Sequence, residues 1–180
     1  VILDPHNLDD ILAGILAVAK KIGKIDEAHK LIGSLRKRIE YVKNKSKKSR
    51  PKVLCIEWLD PLFTAGHWVP QMVEIAGGIN GISVIGEPSR RMKLEEAVAF
   101  DPDIIVLMPC GFDINRIHQE YSKLASNDQW KSLRAVQNKR VYAVDANSYF
   151  SKPGPRTVTG IEILAKIINP ETFGELKTPV

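Results

Sequence analysis

Glu57, Asp60 and His67 fall within one short segment, EWLDPLFTAGHWVP at residues 57–70, and carry side chains of the kind that hold divalent ions. Their spacing matches no strong ligand motif, and acids with a histidine in a loop more often serve as solvated or capping groups, so no metal site is assigned. Cys110 precedes Gly111 at the end of an apolar run, where a nucleophile at a strand-to-helix turn would stand. Its setting is PCGF rather than G-x-S-x-G, and no orienting His/Asp pair accompanies it. Catalysis is therefore not expected, and the chain does not read as an enzyme. Cys55 and Cys110 show no CxxC or Cys/His spacing, and both read as buried free thiols. Gly77, Gly78 and Gly81 are not followed by a helix start with Lys-Ser/Thr, so they carry no nucleotide signal.

What remains at the same positions is aromatic surface. The segment 57–70 puts Trp58, Phe63 and Trp68 among Pro61, Gly66 and Pro70, which interrupt any helical or strand period, so most of it is expected to be a loop. Two further segments share this character: Pro109-Cys110-Gly111-Phe112-Asp113, and Asp145 to Arg156, which contains Tyr149 and Phe150.

The elements that would hold these loops can be read along the chain. Asn7 before Leu8-Asp9-Asp10 is a helix start, and Gly23 after Ile22 its stop. From about Asp26 to Lys45, residues Ala28, Leu31, Ile32, Leu35, Ile39 and Val42 form a single apolar stripe, which predicts a long amphipathic helix. Beyond it come a strand at 53–58, a helix at 70–78, a short strand or loop at 82–88, a helix at 93–100, a strand at 103–109, a helix at 115–125, a strand at 140–146 and a helix at 155–168. Strict strand–helix alternation predicts an α/β lobe: a small, mainly parallel sheet flanked by helices, preceded by the long helix. The domain boundary falls near residue 50, with a helical segment at 1–50 and the α/β lobe at 51–180. In such a sheet ligands gather at the carboxyl ends of the strands, and all three aromatic loops lie at predicted strand ends. Trp58, Phe63, Trp68, Phe112, Tyr149 and Phe150 are thus expected to rim one edge, on a surface meant to be covered.

Composition narrows the partners. The chain is 44% apolar and 26% charged, as ordinary globular domains are, and no apolar run is long enough to span a bilayer. Its formal charge of +5 is unevenly spread: residues 1–50 hold twelve Lys/Arg against six Asp/Glu, and residues 51–180 fourteen against fifteen. The basic run KNKSKKSRPK at 43–52 has no interleaved aromatics and reads as a solvated helix end, so no nucleic-acid partner is expected. The chain opens on Val1-Ile2-Leu3 without a basic lead-in, as a cut inside a longer protein would.

Three stretches carry a family resemblance: VLCIEWLDPLFTAGHWVPQMVEIAGG, GEPSRRMKLEEAVAFDPDIIVLMPCGF and YFSKPGPRTVTGIEILAKIINP. Over nearly all of residues 1–170 the chain resembles the cobalamin-type branch of the iron-siderophore and cobalamin substrate-binding proteins of ABC importers. The resemblance implies two lobes joined by one rigid helix, with the ligand between them. This chain would supply the joining helix and the C-terminal lobe, the N-terminal lobe being absent. It implies a small-molecule ligand, a corrinoid or a ferric-siderophore-like chelate, carried rather than kept as a cofactor. The ligand would be held by Trp58, Phe63, Trp68, Cys110, Gly111, Phe112, Tyr149 and Phe150. It also implies an ABC permease partner, met by one exposed acid per lobe, here Glu95 with Glu96 beside it, and an extracytoplasmic location. Ser89 stands where some cobalamin binders carry a stacking tryptophan, which leaves the ligand open. A lobe without its mate would expose the aromatic face and self-associate. An intracellular corrinoid- or metal-handling protein, or an enzyme, on the same fold is the alternative.

Overall fold

Asn7 does what its place before Leu8-Asp9-Asp10 requires. In the computed structural model, which describes residues 1–46 and 50–174, its side-chain oxygen accepts the Asp10 N–H at 3.0 Å and the Asp10 carboxylate accepts the Asn7 N–H at 3.3 Å. This reciprocal cap starts α1 (Leu8–Ile22), and Gly23, at a φ of 70°, ends it. The long helix follows as α2 (Ile25–Lys45). Ala28, Leu35 and Val42, seven residues apart, form its buried stripe, with Ile32 and Ile39 packed alongside. Leu31 turns to solvent, so the stripe is narrower than the pattern implied. Arg38 ties α2 to α9 (Thr157–Ile168), its Nε and Nη2 donating to the two Glu162 oxygens at 2.8 and 2.7 Å. Lys47, Lys48 and Ser49 of the basic run lie outside the described residues.

The sheet has the order β2-β1-β3-β4, from β1 (Val53–Leu59), β2 (Leu62–Thr64), β3 (Ile104–Leu107) and β4 (Val141–Ala143). β1 and β4 run parallel to β3, and β2 pairs antiparallel with β1. One open alternative is decided here and one expectation is corrected. The stretch 82–88 forms no strand, and a three-residue strand lies inside the segment read as loop. Asp60 and Pro61 suffice as a turn, and β2 gains a second partner because Thr64 N–H donates to the Arg90 carbonyl and Met92 N–H to that of Leu62. That contact covers an edge that would otherwise be open.

Alternation along the strands builds two cores. Val53, Cys55, Ile104 and Val106 face one side, under α3 (Val69–Ile75) and α9. Leu54, Ile56, Ile105 and Leu107 face the other, where α4 (Leu94–Phe100), α5 (Ile114–Ala125) and α6 (Asp128–Lys131) close over them. Trp130 is fully buried in that second layer, its indole N–H donating to the Tyr121 hydroxyl at 3.3 Å. Three more short helices, α7 (Arg134–Gln137), α8 (Ala146–Tyr149) and α10 (Pro170–Phe173), fall where the periodicity gave no signal. Among the described residues no helix is long and apolar enough to cross a membrane.

Candidate functional site

One irregularity in β1 decides where the aromatic residues point. Ile56 pairs with Thr64 and Trp58 with Phe63, so Glu57 is the extra residue of a β-bulge. In a regular ladder Trp58 would share the face of Ile56. With one residue inserted, Trp58 and Phe63 turn away from Leu59 and Leu62, which are rooted in the second core with Ile56. Trp58 is left half-exposed at the end of the strand, against the Phe112 ring.

On the side of the sheet that carries Trp68, Met108 and Phe150 an open cleft of about 330 Å³ lies at the carboxyl edge. Its walls include Glu57 from the bulge, Trp68 and Phe150, with Met108 and Cys110 from the end of β3. Trp68 is only 8% exposed, and its indole N–H donates to the Phe150 carbonyl at 2.9 Å. That bond joins the first aromatic loop to the third and makes Trp68 a core residue as much as a wall.

Gly66 and His67 are pinned to the neighbouring loop. A Cβ on Gly66 would strike the backbone of Ser89 and come within 2.5 Å of the Pro88 carbonyl carbon and 2.8 Å of the Glu87 oxygen, so only glycine permits the approach. His67 adopts a φ of 54°, donates its N–H to the Glu87 carbonyl at 2.6 Å and accepts from Gly86 N–H at 3.0 Å. Its ring lines the cleft, with Nδ1 buried and, among the described residues, without a hydrogen-bond partner. A His6 ring nitrogen lies 3.0 Å from the Gly86 carbonyl, and the Leu8 N–H donates to Gln71 Oε1 at 2.9 Å. These contacts bring Asp4 and Pro5 to the cleft, a contribution that no local pattern foretold.

The other expected residues divide. Phe112 is buried in the second core and meets the half-exposed Trp58 edge-on at 5.1 Å between ring centres, while the Arg116 guanidinium lies 3.7 Å from the Phe112 ring centre. Gly111 adopts a φ of 79° and donates its N–H to Asn147 Oδ1, outside the cleft lining. Tyr149 lines a separate hollow with Tyr142 and Ile163. Of the five aromatic partners expected for Trp68, Phe150 alone shares the cleft wall; Trp58 lies beside Phe63 and Phe112 outside its lining.

The two cysteines differ. Cys55 is buried in the first core, where burial pushes its thiol up to about 12. Cys110 is exposed, a correction to its reading as a buried thiol. It stands past the end of β3, beyond the alternating core positions, with Sγ 3.2 Å from Ser151 Oγ. Among the described residues no group of three or more His, Cys, Asp and Glu is placed to hold a metal ion. A larger groove of about 550 Å³ runs between α1, α2 and α3, but it is lined by charged and aliphatic residues and no aromatic one.

Away from the cleft, α4 carries the two acids at 95 and 96. Glu96 is held by Arg90 at 2.7 Å and caps the helix by accepting the Lys93 N–H, and the Arg90 hydrogen bond, followed by that of Lys93, holds its carboxyl below the ordinary range. Glu95 is exposed, and among the described residues no cation lies within ion-pair distance of it.

The model of the periplasmic binding protein family matches residues 1–148. The chain belongs to that family. A high-affinity heme uptake system protein of Staphylococcus aureus, IsdE, is 31% identical over 119 residues, 63% of this chain and 40% of that protein. The matched stretch thus spans less than half of this curated relative. Among solved structures, an ABC transporter substrate-binding protein of Listeria monocytogenes is similar with a TM-score of 0.83 at 26% identity, over 94% of this chain and 67% of that one. IsdE complexed with heme gives 0.80 at 23%, over 93% and 67%. The vitamin B12 binding protein BtuF of Vibrio cholerae gives 0.73 at 21%, over 92% and 63%. The last two share the fold: a small, mainly parallel sheet flanked by helices.

Proposed function

We propose that this chain is the C-terminal lobe and joining helix of the substrate-binding component of an ABC importer, and that it holds a large metal chelate. A corrinoid, a heme or a ferric siderophore fits that description, and proteins of similar fold bind heme and vitamin B12 by name. The observation that carries the reading is the wall of the cleft: Trp68 and Phe150 border one open site at the sheet's carboxyl edge, and the bulge at Glu57 turns Trp58 away from the second-core face of Leu59. At about 330 Å³ the cleft is near the lower end of small-molecule sites, roughly 300–1,000 Å³. A macrocycle would overflow it onto Trp58 and toward a second wall. That wall, in this proposal, is an N-terminal lobe preceding α1, and exposed Val18, Ile22, Ile25 and Leu31 near the α1–α2 junction fit a covered face. The same face would let the isolated chain self-associate. The role is extracytoplasmic carriage and delivery, with no catalytic step.

Docking on the permease falls to Glu95. Glu96 is spent on Arg90 and the helix cap, which leaves Glu95 free to meet cations of a partner. Glu95→Ala in the full-length protein is expected to leave the ligand dissociation constant within about twofold and to reduce uptake about tenfold, as loss of a charge-assisted docking pair would. Unimpaired uptake would remove the docking role from this acid.

A further inference from the structure

The ionisable residues that line the cleft are Asp4, Glu57, His67 and Cys110, and no lysine or arginine is among them. Glu57 is the decisive one. Two residues beyond Cys55, it lies by ordinary alternation on the cleft side of the sheet, it is half-buried, and among the described residues its carboxylate has neither a hydrogen-bond nor an ion-pair partner. A carboxylate left unpaired in such a place accepts donors from whatever fills the site and repels like charge.

The cations of the neighbourhood do not offset it. Arg116 is placed over the Phe112 ring, Arg90 is paired with Glu96, and Lys152 is exposed between Ser151 and Pro153 without lining the cleft. Asp4 adds a second carboxylate at the rim, 3.5 Å from a His6 ring nitrogen.

We infer that Glu57 is a specificity-determining residue that selects, among flat macrocyclic ligands, those whose edge carries N–H donors or positive charge, and disfavours those edged by carboxylates or other anions. This rests on the reading of the cleft as a ligand face. Discrimination comes from the repulsive element as much as from attraction: an anionic edge would be desolvated beside a carboxylate that nothing neutralises.

Two porphyrins with the same ring and opposite edges test it: the tetracationic tetrakis(N-methylpyridinium) and the tetraanionic tetrakis(carboxyphenyl) compounds, titrated into the protein at low salt with tryptophan quenching as the readout. The cationic ring is expected to bind about tenfold more tightly, with the preference shrinking in high salt. Glu57→Gln, which keeps size and shape, should cut the preference to about twofold. Equal or tighter binding of the anionic ring, or a preference untouched by Glu57→Gln, overturns the assignment while leaving the cleft a ligand face. Failure of both rings to bind overturns the assignment and the ligand-face reading together.

Discussion

Trp68→Ala is expected to melt roughly 6–20 °C below the parent chain. Replacing a buried aromatic by alanine costs about 3–5 kcal/mol, and each kcal/mol moves the midpoint of a domain this size by about 2–4 °C. Trp68 meets the condition for the full effect. It is 8% exposed, packs in the core formed by β1, β3, α3 and α9, and satisfies the Phe150 carbonyl through its indole N–H. The alanine variant leaves a void and strands that carbonyl. Trp68→Phe keeps most of the volume and loses only the hydrogen bond, so it should fall by about 1–3 kcal/mol. Thermal melts of the two variants separate packing from bonding, and an unchanged midpoint in Trp68→Ala would show that the indole is held as a surface group.

Trp58→Ala is expected to behave in the opposite way, weakening macrocycle binding by roughly 5- to 150-fold while the fold survives. The affinity range follows from about 1–3 kcal/mol for a stacking aromatic, at 1.4 kcal/mol per decade. Trp58 is 37% exposed, meets Phe112 edge-on, a pair worth about 0.5–1.5 kcal/mol, and donates its indole N–H to the carbonyl of nearby Asp60 at 3.1 Å. Stability therefore falls by far less than for Trp68. Titration of cyanocobalamin and hemin into both proteins checks it. Unchanged affinity for each would mean that the lip of the sheet takes no part in binding.

The contrast between these tryptophans marks how far the residues themselves could be read. Caps, helix spans and the buried strand run of β3 follow local rules, which is why Asn7, Gly23 and the stripe through Ala28, Leu35 and Val42 stand where the pattern put them. β2 is too short for alternation to show, and its partners at Arg90 and Met92 are remote in sequence. The bulge leaves no trace in composition, yet one inserted residue sets the face on which Trp58 and Phe63 lie. Tyr149 shows the limit of assuming that one edge means one surface: it sits in α8 and lines its own hollow, whereas the next residue, Phe150, turns into the cleft. Asp4, Pro5 and Ser151 reach the cleft through tertiary contacts, and Glu57 was visible as an acid but not as the unpaired group of a binding wall.

In this proposal the ligand rests in the cleft at the carboxyl edge. Hydrogen exchange of the protein, free and saturated with cyanocobalamin, tests it most directly. The expected result is slowed exchange in residues 57–69, 108–113 and 149–154, the segments that form most of the walls, with the groove between α1, α2 and α3 unchanged. Protection centred on that groove, or bound ligand that slows none of the three segments, would contradict it.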